Sequence, residues 1–132
     1  MDIKIYESDS EGMSRVYENE KWTVGVKNWK PSSDLNGITE LERHNLTDEL
    51  FVLLQGNCTL VSGEESGQGL KLNALKMKPN QVYNIPSKLW HTAVMEVGTK
   101  MILIEDVSTG MENSDIYHLN AEEIEAVCVL VK

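Results

Sequence analysis

The residues best suited to chemistry are two histidines and the glutamates near them. His44 ends the alternating run Glu40-Leu41-Glu42-Arg43-His44. Side chains two apart on a strand share a face, so Glu42 and His44 point the same way, with Glu40 behind them. Asn45-Leu46-Thr47-Asp48 is a polar turn, and Glu49 opens the next apolar run, where an inward register sets its carboxylate beside His44. His91 lies in Leu89-Trp90-His91-Thr92-Ala93-Val94-Met95 and shares a face with Ala93 and Met95, an apolar lining that carries one imidazole. Two imidazoles and two carboxylates converging on a rigid β scaffold are the raw material of an oxygen/nitrogen metal site.

The elements that must position these groups are short strands separated by turns. Residues 21–29 are rich in β-branched and aromatic side chains and stop at Lys30-Pro31-Ser32-Ser33-Asp34. Strands are expected over 38–44, 49–55 and 58–62, then, after a flexible polar loop over 63–69, over 70–77, 81–85, 89–97 and 100–105. Pro79-Asn80, Pro86-Ser87 and Gly98-Thr99 supply the later turns. Only residues 120–126 read as helical, with Asn120 as N-cap and Glu123 at the reciprocal capping-box position. Many short strands with almost no helix predict an all-β sandwich or barrel with at most one short C-terminal helix. The runs Leu50–Leu54 and Met101–Ile104 are apolar on both faces, so their outer faces need cover from another segment or from a second subunit, and a homodimer is expected.

On these residues the chain resembles the cupin superfamily. Glu42-Arg43-His44, four residues, Glu49, six residues and Gly56 is similar to the first cupin motif (Gly, five residues, His-x-His, three or four residues, Glu, six residues, Gly). Residues 80–95 are similar to the second motif, with Pro86 and His91 at the right separation. The resemblance covers residues 37–105 of a single domain over 1–132 and implies a double-stranded β-helix, the jelly-roll barrel. There are departures. Glu42 replaces the first His, Gly37 lies one residue too close to it, Asn80 and Lys88 replace glycines, and Met95 replaces the closing Asn.

Carried over residue by residue, the resemblance implies a metal set of Glu42, His44, Glu49 and His91. Two neutral imidazoles and two carboxylates would cancel a divalent charge and suit Mn²⁺, Fe²⁺, Ni²⁺ or Zn²⁺ better than Cu⁺. If only His44, Glu49 and His91 ligate, Glu42 becomes a carboxylate poised as a catalytic general base. The competing reading is a metal-free pocket in which Glu42 bonds to His44 or Arg43 and His91 is a buried imidazole with a partner. The functions that follow are a metal-dependent isomerase, lyase or dioxygenase acting on a small sugar or organic acid, a non-catalytic small-molecule binding or sensing domain, or a structural dimerisation module.

Composition narrows the partners. The 132 residues hold 12 Lys and Arg against 21 Asp and Glu, a formal charge of −9, which opposes binding to a nucleic-acid backbone or an anionic membrane. Cys58 and Cys128 share no CxxC spacing and read as free thiols. The N-terminal run MDIKIYESDSEG has no apolar targeting core, so a cytoplasmic protein is expected. Trp22, Trp29 and Trp90 read as packing rather than as sugar-stacking platforms, with Trp90, opposite in parity to His91, facing out toward a subunit interface. Lys88 reads as a solvated turn residue or a grip for a substrate anion at the barrel mouth, Glu64-Glu65 as a solvated face, and His118 as lying outside the site.

Overall fold

Alternation along the chain becomes ten strands and one α-helix in the computed structural model, which describes residues 2–132. The strands are β1 (Gly12–Glu18), β2 (Trp22–Asn28), β3 (Glu40–His44), β4 (Glu49–Gln55), β5 (Cys58–Ser66), β6 (Gly69–Lys76), β7 (Tyr83–Ile85), β8 (Trp90–Met95), β9 (Lys100–Asp106) and β10 (Ser114–His118); the helix is α1 (Ala121–Val131). They form two five-stranded antiparallel sheets, in the orders β1-β2-β9-β4-β7 and β10-β3-β8-β5-β6. This crossing order, with sequence neighbours from β2 to β5 and from β6 to β10 placed in opposite sheets, is that of a jelly roll.

Strand parity divides the apolar residues between two cores. Phe51, Leu53, Leu60, Ala93, Met95, Met101 and Leu103 meet between the sheets. Ile38, Leu41, Val61, Trp90, Val94, Leu119 and Val127 meet outside the second sheet, beneath α1. Each such side chain contributes about 1.5–3 kcal/mol on burial, so α1 is held mainly by the apolar face it covers. Its start is fixed as the sequence predicts: the Glu123 N–H donates to Asn120 Oδ1 at 2.8 Å and the Asn120 N–H to Glu123 Oε1 at 2.9 Å.

Several expectations are corrected. The polar stretch 63–69 is not a loop: β5 and β6 pair through Ser66↔Gly69, leaving only Gly67-Gln68 as the turn of an edge hairpin whose tip is exposed throughout. β1 and β10 carry too little apolar character to announce themselves and are strands because β2 and β3 template them. Trp90 does leave the barrel, yet it is 7% exposed and its cover is its own chain. The Arg43 guanidinium sits 4.4 Å over its ring and Glu65 accepts from its Nε1, so Glu65 is not merely solvated. On the first sheet the outward Leu50, Val52, Ile102 and Ile104 are only half-buried and Leu54 is 50% exposed, so that face is left partly open. No helix among the described residues is long and apolar enough to cross a membrane.

Two turns show what the motif positions demand of the backbone. Gly56 has φ +84°, and a Cβ there would lie 2.6 Å from Thr99 Cα, so only glycine fits. Lys88 has φ +71°, held there by its N–H donating to His44 O at 2.7 Å. A left-handed conformation is disfavoured for an L side chain by about 1–2 kcal/mol. Lys88→Gly is therefore expected to stabilise the protein by about 1 kcal/mol, seen as a higher urea midpoint at an unchanged slope. A lowered midpoint would mean that the lysine side chain itself holds the turn.

Candidate metal centre

The four residues named from the sequence come together at one end of the barrel. Glu42 and His91 are directly paired across β3 and β8, His44 lies two residues along the same face of β3, and Glu49 faces them from the first sheet. One ligand atom from each lies within 4.8 Å of the others. His44, Glu49 and His91 are buried, whereas the Glu42 side chain is 43% exposed.

Hydrogen bonds set which imidazole nitrogens face inward. Ser114 Oγ gives its one proton to Gly110 O at 2.7 Å, so at its 2.8 Å contact with His44 Nδ1 it must accept. His91 Nδ1 donates to Leu89 O at 2.9 Å. With both Nδ1 atoms carrying hydrogen, each Nε2 of a neutral ring presents a lone pair to the same oxygen, Glu49 Oε1, at 3.4 Å from His44 and 3.2 Å from His91. His44 Nε2 is buried without a hydrogen-bond partner. Lone pairs converging on a carboxylate repel unless a cation or added protons lie among them, and an orphaned imidazole nitrogen with its opposite nitrogen anchored is the usual posture of a metal-ligating histidine. The donor set therefore fits a divalent ion.

The same electrostatics shift the local titrations. Glu49's carboxylate raises the pKa of His44 against burial, which lowers it. Burial opposes ionisation of Glu49, but His44 and His91 outweigh it and hold its carboxyl well below the ordinary range. Glu105 is the counterweight. It stands directly opposite Glu49 on β9, is 8% exposed, and is pushed up to about 7 by burial and by Glu49, against the pull of Arg15 at 3.2 Å.

Sequence reading missed Glu105, although one acid closing the inward series Met101, Leu103, Glu105 was a signal of parity. Ser114 and Arg15 were missed because β10 and β1 were. His118 is exposed and pairs loosely with Glu40 at 3.9 Å, outside the cluster, as expected. Trp22 is 46% exposed on the outer face of the first sheet and Trp29 Nε1 donates to Asp34 at 2.9 Å, so both serve packing or surface. Lys88 lies outside the walls of the cavities at the cluster; the lysines found there are Lys27 and Lys30.

The fold corresponds to that of known structures. A cupin-2 domain protein from Shewanella frigidimarina superposes with a TM-score of 0.54 at 15% identity, covering 75% of this chain and 84% of that one. KdgF from Halomonas gives 0.53 at 15% identity over 78% and 86%. Pac13 from Streptomyces, a nucleoside dehydratase, gives 0.62 at 8% identity over 92% and 96%. The chain thus has the fold of the cupin superfamily, the all-β jelly roll expected from its two motifs. No family model and no curated protein matches the chain.

An acid whose pKa rises on folding adds stability while protonated. The contribution of Glu105 is thus full below its ordinary value of 4.5 and is lost as pH rises through about 7. In chelator-treated protein, Glu105→Gln is expected to flatten the fall in melting midpoint across that interval. An unchanged slope would remove Glu105 as its source.

Proposed function

We propose that this protein holds a divalent transition metal, Mn²⁺, Fe²⁺, Ni²⁺ or Zn²⁺, on His44, His91, Glu49 and Glu42, and that the surrounding pocket binds or transforms a small polar molecule such as a sugar or an organic acid. The observation that carries this reading is the convergence of two anchored imidazoles on Glu49 Oε1, with His44 Nε2 left unpartnered. Bound there, the ion would polarise a carbonyl or hydroxyl oxygen of the ligand. Glu42, the most exposed of the four, is the group free to exchange a proton with a ligand in the pocket, either as a weaker fourth ligand or as the general base. Pac13, a nucleoside dehydratase solved with uridine, supports a small-molecule pocket in this fold; its sequence is too distant for its substrate to be carried across.

A second reading rests on the raised pKa of His44: the His44 imidazolium neutralises Glu49 itself, leaving a metal-free binding pocket. Metal analysis of the purified chain separates the two. Stoichiometric metal, lost in His44→Ala plus His91→Ala, is expected; metal content unchanged by the double substitution, or no uptake of Mn²⁺ or Zn²⁺ by the wild-type chain, sinks the site.

The reading extends to a cytoplasmic homodimer. The free thiols of Cys58 and Cys128 suit a reducing compartment, and the partly open outer face of the first sheet, around Val52, Leu54 and Ile102, is where two copies would meet. Sedimentation is expected to give twice the chain mass, and Leu54→Glu to shift it toward the monomer. A wild-type protein that stays monomeric at every concentration would refute the dimer.

A further inference from the structure

Cations are scarce in this chain, 12 against 21 acids, yet Lys27 and Lys30 line both cavities that meet at the cluster and Arg15 lines one of them. Those cavities measure about 180 and about 270 Å³ and share Lys27, Lys30, Glu42, Glu49 and Leu103, so they are two arms of one space. Taken together they fall in the lower half of the roughly 300–1,000 Å³ of a ligand site, which suits a small metabolite.

Lys27 is on the inward face of β2, paired with Met101, which is fully buried, and Lys30 follows where the strand ends. A lysine in a strand can keep its charge in water at little cost by pointing outward, so an inward lysine at a cavity needs a reason. None is supplied by the protein: among the described residues neither ammonium group forms an ion pair. The nearby acids are otherwise engaged. Arg15 holds Glu105 at 3.2 Å, and Glu42 and Glu49 face the two histidines and the candidate ion. Glu40, on the same wall, is exposed and reaches only His118 at 3.9 Å, so once those charges cancel the half-buried Lys27 keeps an unmatched positive charge, with the exposed Lys30 beside it on the wall.

We infer that the small molecule taken by this pocket is an anion whose oxyanion group, carboxylate or phosphate, is received by Lys27 and Lys30 while its neutral hydroxyl or carbonyl end faces Glu42, Glu49, His44 and His91. This rests on the reading of the cavity as a ligand site and names the class of ligand. Long-range attraction between a negatively charged protein and an anion is unfavourable, so recognition depends on short-range charge at these two side chains and weakens with salt.

Glucose, glucuronate and glucose 6-phosphate share a ring and differ in the group at the sixth carbon, which makes them suitable probes. Their binding to the full chain is measured by calorimetry and by NMR shift perturbation, with metal-loaded and chelator-treated samples side by side and metal content determined in each. At least one anion is expected to bind about tenfold more tightly than glucose, a difference of about 1.4 kcal/mol. The preference is expected to vanish in Lys27→Gln plus Lys30→Gln, to survive in Lys27→Arg plus Lys30→Arg, and to shrink with added salt. The better of the two anions identifies the oxyanion as carboxylate or phosphate. Equal responses to all three compounds, no response to any of them, or a preference that outlives both ammonium groups would overturn the inference. Metal content reports separately on the ion, so a lysine-dependent preference in protein that takes up no metal would reject the metal site and keep the anion.

Discussion

Glu49 and Glu105 face each other directly across the β4–β9 ladder, both nearly closed off from water. Like charges opposed across a strand pair are unfavourable, and more so in a low-dielectric interior. Everything at this end of the barrel can be read as an answer to that conflict. Two imidazoles bear on Glu49 from the second sheet, Arg15 bears on Glu105 from β1, and Glu105 keeps its proton up to about pH 7. Ser114 and the Leu89 carbonyl anchor the outer nitrogens of the histidines and so aim their inner ones at the carboxylate. The proposed cation would complete this balance, and the proposed anion would meet the lysines beyond it.

The fold supplies the rigidity such an arrangement needs. The opposite end of the barrel is closed by Leu53, Cys58, Met77 and Met95, an apolar plug that leaves the polar groups only one place to gather. Burial pushes the Cys58 thiol up to about 12, so it acts there as a small hydrophobe. α1 does not touch the site. It packs against β6 on the outer face of the second sheet, whose apolar cluster includes Trp90, and the residue next to Trp90 is His91, so packing on one face of β8 steadies the imidazole on the other.

The likeness to structures such as Pac13 and KdgF, at identities of 8% and 15%, shows how little sequence the jelly roll requires. Parity and turn chemistry carry the fold; the identity of the inward polar residues carries the chemistry. Glu42, where a histidine is expected, is the clearest instance. Its greater exposure gives this pocket a softer fourth corner than a third imidazole would.

The sequence by itself determined an all-β sandwich or barrel through local rules, period-two alternation with glycine and proline at turns, and the resemblance of the spacing between His44, Glu49 and Gly56 to the cupin motif implied the jelly roll and the four converging residues. The capped helix was legible for the same reason. What required the tertiary structure was every relation set by pairing between distant segments. β1 and β10 have no strong pattern of their own and exist by docking on β2 and β3, so Arg15 and Ser114 could not be placed from sequence. Trp90 could be assigned to the outer face, but not to cover by Arg43, Glu65 and Tyr117. Glu105 and Lys27 look like ordinary charged residues near the ends of strands. Only the register of β9 against β4, and of β2 against β9, turns them into the barrel, where burial and opposed charge give them a role that no local window contains.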